Sequence, residues 1–190
     1  MTMPLAHLNK PPHRVEAPVS LQRASVLAVE AIASMIAPVT TSLRTLRFGS
    51  VSVLLSSDHA WQRLTDDPPL QADLILIDWY VHPTPCDQFV RRLRRMEAPE
   101  LAETPIICLM ANADAETVFA ARDAGADAVL ARPFSPNQLR DKVLWVLGRE
   151  VEFVRSAGYV GPDRRHFNAE PYRGVERRRS QAGESSAPLE

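Results

Sequence analysis

The chain has 190 residues and a mass of 21.1 kDa, enough for one ordinary domain with arms or two very small ones. Its 45% hydrophobic and 24% charged residues exclude wholesale disorder, and a formal net charge of -1 excludes a global field toward nucleic acid or an anionic membrane. All but Lys10 and Lys142 of the 22 basic residues are Arg. A codon habit is the plain reason, and forked guanidinium groups put to use somewhere are the sharper one.

Residues 1–23 form an arm: Pro4, Pro11, Pro12 and Pro18 punctuate it, and it has neither periodicity nor the apolar core of a signal peptide. Ser25-Val26-Leu27-Ala28-Val29 is a short apolar run fit for a strand buried on both faces. The longest apolar stretch, Val26 to Val39, is broken by Glu30 and Pro38 and is too short to cross a bilayer. Met35, Val39, Leu43 and Leu46 then recur at helical spacing over Ser34 to Leu46, with Pro38 tolerated only at a helix start or a kink. Val51-Ser52-Val53-Leu54-Leu55 is a second strand, and Ser57 can cap a helix carrying Trp61 and Leu64.

Leu74-Ile75-Leu76-Ile77, ending at Asp78, is the strongest strand signal. A helix over Asp87 to Met96 turns Phe89, Val90 and Leu93 inward and leaves Arg91, Arg92, Arg94 and Arg95 outward or flanking. Pro105 to Met110 is a fourth buried strand, in which Cys108 reads as a small core residue. Cys108 and Cys86 fit no metal or redox spacing, so reduced thiols in a cytoplasmic, soluble protein are expected. A helix over Asp114 to Ala124 stops at Gly125, and Asp127 to Ala131 makes the fifth strand. Ser135-Pro136-Asn137-Gln138 opens the last helix with a capping-box pattern, and Leu139, Val143, Leu144 and Leu147 are its inward residues.

Five strands and five helices in strict alternation predict a doubly wound α/β domain over 24–149, with one parallel sheet covered on both faces. Ligand chemistry in such sheets sits at the carboxyl ends of the strands. Glu30, Asp78, Met110 with Ala111, and Arg132 fall there, so two acids and one base converge on one edge. Taken singly, Asp78 could be a turn-making carboxylate, Glu30 a surface carboxylate and His82 an exposed loop histidine.

The middle zone resembles a CheY-like receiver domain of two-component response regulators. The pieces that carry the resemblance are Leu74-Ile75-Leu76-Ile77-Asp78-Trp79, Thr104-Pro105-Ile106-Ile107, and Ala124-Gly125-Ala126-Asp127 running on through Ala131-Arg132-Pro133-Phe134. The resemblance implies a flavodoxin-like sheet of order 2-1-3-4-5, no enzyme activity, and Asp78 as phosphoacceptor for a histidine kinase or phosphotransfer protein. It further implies a Mg²⁺ site on Glu30 and Asp78, and Arg132 as the cation that contacts the phosphoryl group.

The auxiliary positions depart from the family pattern. The acidic pair falls on Glu30-Ala31, the Ser/Thr on Met110, the Lys on Arg132, the aromatic switch on Val129, and the proline after the acceptor on His82. A degenerate receiver is therefore expected, acting as an adaptor for an output partner protein. The alternative is a conventional phosphorelay receiver phosphorylated on Asp78. Residues 150–190 lack the apolar periodicity of a DNA-binding domain, so no DNA contact is expected.

That last segment is expected to be largely irregular, but it carries a rough repeat offset by 13 residues. Tyr159-Val160-Gly161-Pro162-Asp163-Arg164-Arg165 is followed by Tyr172-Arg173-Gly174-Val175-Glu176-Arg177-Arg178. Arginine can stack on or chelate guanine, an acid can accept from its N1/N2 edge, and glycine lets the chain come close. The segment is similar to the arginine-rich tails of CheY-like regulators that bind cyclic di-GMP, which implies that ligand here. RNA, an acidic protein, or no partner at all are the other readings.

Overall fold

The computed structural model describes residues 21–164. Arg165, Gly174, Glu176, Arg177 and Arg178 of the Arg-rich repeat lie outside the described residues, as does nearly all of the N-terminal arm. The apolar runs become parallel strands β1 (Ser25–Val29), β2 (Ser50–Leu54), β3 (Leu74–Asp78), β4 (Ile106–Met110) and β5 (Ala128–Ala131), in the spatial order β2-β1-β3-β4-β5. Every residue of β3 and β4 is buried, as a strand covered on both faces requires.

Alternate residues of these strands feed two separate cores. Leu27, Val29, Ile75, Ile77, Ile106 and Cys108 pack on helices α2 (Ser57–Thr65), α3 (Cys86–Arg94) and α5 (Ala115–Ala124). Val26, Ala28, Leu74, Leu76, Ile107 and Leu109 pack on α1 (Ala33–Thr45) and α6 (Pro136–Leu147). A one-residue slip of any strand would exchange these two sets, so the register is tightly held.

Several local details differ from the sequence reading. Helix α1 runs through Pro38, which lies on its exposed side. The cap of α2 is Ser56, whose hydroxyl accepts from the His59 N–H; the Ser57 hydroxyl instead accepts from the Thr84 N–H. A short helix α4 (Pro99–Ala102) precedes β4. In α6 the buried set is Leu139, Val143 and Val146, whereas Leu144 and Leu147 are only half-buried. The capping box forms as expected, with the Ser135 hydroxyl accepting from the Gln138 N–H and the Gln138 amide oxygen accepting from the Ser135 N–H.

The largest correction concerns Arg94, expected outward or flanking and found 1% exposed. Its Nε donates to the Gly125 carbonyl, Nη1 to the carbonyls of Ala102 and Thr104, and Nη2 to Asp127. Asp127 also accepts from the Ile106 N–H. Burial pushes the Asp127 carboxyl up and the Arg94 guanidinium down, each opposed by the other's charge.

Above this centre lies a second element where irregular chain was expected. Strands β6 (Phe153–Arg155) and β7 (Val160–Pro162) form an antiparallel hairpin. Phe153 sits 5.6 Å from the Arg94 guanidinium. Gly125 ends α5 at φ 104°, and a Cβ there would lie 2.9 Å from the Val160 carbonyl oxygen. A Cβ on Gly161 would in turn lie 2.9 Å from Gly125 Cα and 2.7 Å from the Tyr159 hydroxyl. Two facing glycines therefore let the hairpin touch the domain.

Candidate functional site

The parallel topology brings the ends of β1, β3 and β5 to one edge, and with them Glu30, Asp78 and Arg132. The guanidinium of Arg132 forks: Nη1 bonds Asp78 Oδ2 and Nη2 bonds Glu30 Oε2. The remaining carboxylate oxygens are taken by backbone donors, Glu30 Oε1 by the Ile32 N–H at 3.0 Å and Asp78 Oδ1 by the Tyr80 N–H at 2.7 Å. Arg132 is held from behind by its own N–H, which donates to the Met110 carbonyl at 2.7 Å. Each acid oxygen already has a donor.

Burial makes these contacts matter. Glu30 and Asp78 are each 1% exposed. Two carboxylates and one guanidinium leave the cluster one negative charge in excess, and burial raises the Glu30 carboxyl above its usual range. The Ile32 N–H and the Arg132 charge oppose that rise, and the Asp78 charge adds to it. The Arg132 Nε is buried without a partner.

The donor set can be tested for a magnesium ion. A hard dication needs several open oxygens, preferably charged. Ala31 supplies none, and the oxygens of Glu30 and Asp78 are committed to Arg132 and to backbone N–H groups. Among the described residues no group of three or more His, Cys, Asp or Glu is placed to hold a metal. As arranged, the Arg132 guanidinium already bonds both carboxylates, so the site does not fit the ion while Arg132 stays in place.

Met110, on which the Ser/Thr position was expected to fall, is fully buried at the end of β4 and packs into the α2–α3–α5 core. Val129 is half-buried and packs into the α2–α3–α5 core. His82 is exposed, and its carbonyl accepts from the Ser57 N–H. The thiols of Cys86 and Cys108 meet at 3.6 Å in the core, and their mutual hydrogen bond, followed by burial, raises Cys86 well above the usual thiol range. Cys86 is therefore not a poised nucleophile.

The tail residues stand apart from this edge. Gly161, Asp163 and Arg164 belong to the hairpin beside Gly125, before β5, whereas Arg132 follows β5. Gly161 is consumed by the close approach to Gly125, and Asp163 is buried, its N–H donating to the Glu152 carbonyl. Arg164 lies 3.8 Å over the Tyr159 ring and 3.4 Å from Asp123.

A parallel sheet of this order, with acids after the first and third strands and a base after the fifth, defines a flavodoxin-like domain of receiver type. Residues 26–144 match the response regulator receiver domain, and the chain belongs to that family. Similar curated proteins are the phosphate regulon transcriptional regulatory proteins PhoB of Pseudomonas aeruginosa and Escherichia coli. The first is 36% identical over 77 residues, 40% of this chain and 33% of the relative; the second is 30% identical over 92 residues, 48% and 38%. The chain thus spans well under half the length of these relatives.

Solved structures share the fold. The chemotaxis response regulator CheY4 of Vibrio cholerae aligns with TM-score 0.58 and 24% identity, over 66% of this chain and 99% of that one. The receiver domain of the Pseudomonas aeruginosa sensor histidine kinase PA1611, with a magnesium ion in its active site cleft, gives 0.58 and 24%, over 67% and 99%.

Proposed function

We propose that this chain is a receiver whose acidic site is held shut by its own arginine, and that it works as a protein-interaction adaptor rather than as a phosphorylated switch. Receiver domains generally serve as non-enzymatic signalling modules that meet histidine kinases or phosphotransfer proteins. The observation that carries the present reading is the Arg132 fork on Glu30 and Asp78. A carboxylate nucleophile must reach the phosphoryl group in line, yet Asp78 is buried and both its oxygens accept hydrogen bonds. Met110 adds no hydroxyl to stabilise the transferred group.

Labelling with acetyl phosphate and Mg²⁺, read by intact mass, tests this directly. The unmodified chain is expected to label weakly or not at all. Ala31→Asp with Met110→Thr and Arg132→Lys should label, and should stop labelling when Asp78→Asn is added. Stoichiometric labelling of the unmodified chain within minutes, lost in Asp78→Asn, would establish the conventional phosphorelay receiver instead.

The tail enters the reading in a narrower form. With Gly161 and Asp163 used by the hairpin, binding of cyclic di-GMP would fall to Arg164, already stacked on Tyr159, and to Arg165, Arg177 and Arg178. Calorimetry on the full chain with cyclic di-GMP and cyclic di-AMP decides it. Heat with neither removes the nucleotide from the account.

A further inference from the structure

The α2–α3 face carries a basic, aromatic groove that, among the described residues, neither the acidic site nor the β6–β7 hairpin lines. It has a volume of about 500 Å³ and is lined by Trp61, Gln88, Arg91, Arg92, Arg95 and Met96. Gln88, Arg92 and Arg95 follow one another at helical spacing on one ridge, and Trp61 from α2 makes the opposite wall. The Arg92 guanidinium carbon lies 3.6 Å from the centroid of the Trp61 ring, and Phe89 meets that ring in a T-shaped contact at 6.1 Å.

The charges there are uncompensated. Arg91 spends one arm on the Asp123 carbonyl, but Arg92 and Arg95 are exposed and have no carboxylate partner among the described residues. The dipole of α3 favours cations near its last turn. It does not account for an indole held under one of them. A guanidinium stacked on tryptophan has lost part of its freedom already, so a carboxylate that meets it costs less ordering.

We infer that the α2–α3 groove docks an acidic, apolar-tipped segment of a partner protein, with Arg92 and Arg95 meeting its carboxylates and Trp61 and Met96 its apolar side chain. The inference rests on the adaptor reading and supplies the surface which that reading needs. Acidic protein is favoured over nucleic acid because only two unpaired arginines line a short groove. A nucleic-acid strand would need a longer basic track, and the chain as a whole is slightly acidic.

The test uses the full chain and a fluorescein-labelled helical peptide with glutamates on one stripe and Leu and Phe beside it, followed by anisotropy. Arg92→Ala with Arg95→Ala should weaken binding about tenfold or more. Arg140→Ala, an exposed arginine of α6, should leave it within about twofold. Replacing the peptide's glutamates by lysines should abolish binding, and near-ultraviolet dichroism checks that the variants keep their packing. No binding of the acidic peptide, equal binding by the double variant, or tighter binding of a single-stranded oligonucleotide would each overturn the proposal. Acetyl phosphate labelling of Asp78 reads the adaptor hypothesis separately, so the failure of one is not mistaken for the failure of the other.

Discussion

Two buried arginines stand in the same domain and do different things. Arg94 spends four of its five N–H donors on three carbonyls and the carboxylate of Asp127, joining α3, α4 with the loop that follows it, the entry to β5 and the floor of the hairpin. Arg132 holds two carboxylates with its two terminal nitrogens while its Nε has no partner. One is a structural rivet, neutralised by a single acid and the carbonyl dipoles around it. The other balances only half the charge it faces, and in the function proposed above it plugs the acidic edge. Burial alone does not separate the two; the partner inventory does.

Breaking the rivet should have the largest effect. Arg94→Met leaves the carbonyls of Ala102, Thr104 and Gly125 short of a donor and weakens the compensation of Asp127. A loss of about 3–5 kcal/mol in urea unfolding is expected. A cost below about 1 kcal/mol would show that the network is not what joins these elements.

Pulling the plug should cost less and change more. Arg132→Ala leaves two buried carboxylates facing each other, so about 3 kcal/mol should be lost at neutral pH and much of it regained on acidification as Glu30 takes up a proton. The same variant should gain magnesium affinity, seen by calorimetry, because the carboxylate oxygens are freed. Unchanged magnesium binding would contradict the plug.

Gly125→Ala sharpens the contrast at the rivet end. Its φ of 104° and the Val160 oxygen 2.9 Å from the added Cβ should together cost about 1–2 kcal/mol. The hairpin should also loosen, seen as faster amide exchange at Val160 and Asp163. Protection equal to that of the unmodified chain would mean that the hairpin does not depend on this contact.

The smallest effect is a pH dependence. The Glu30 carboxyl is raised by burial above its ordinary 4.5, against the Ile32 N–H and Arg132. The folded chain therefore holds this proton more tightly than the unfolded one. Its contribution to stability is complete below about 4.5 and is lost as pH rises through the raised folded value. Comparing unfolding of the unmodified chain and Glu30→Gln from mildly acidic to neutral pH isolates this group. The difference should drift by about 1 kcal/mol or less, in favour of Glu30→Gln as pH rises. A drift of opposite sign would show that Arg132 outweighs burial at Glu30.

Much of this was legible before any coordinates. The continuous apolar runs of β3 and β4 and the Ser135–Gln138 capping box are local signals, and the structure repeats them. The three site residues were legible too, because strand ends mark them. Arg94 was misplaced although a signal existed: it lies four residues after Val90, on the apolar stripe of α3, where an arginine needs a buried acid elsewhere in the chain. Asp127 supplies it from 33 residues away, and no local pattern announces such a partner.

By itself, the sequence determined the order of the five parallel strands and the five helices that alternate with them, and which charges gather at the sheet's edge, because periodicity and strand ends are properties of short segments. Only the tertiary structure decided what those charges do to one another. Whether Arg132 points to solvent, to one acid or between both depends on the distance between β1, β3 and β5, and whether Gly161 is open or closed by Gly125 depends on where the hairpin lands. Fork geometry and close approach are set by atoms far apart in the chain, so they arise only when the sheet has assembled.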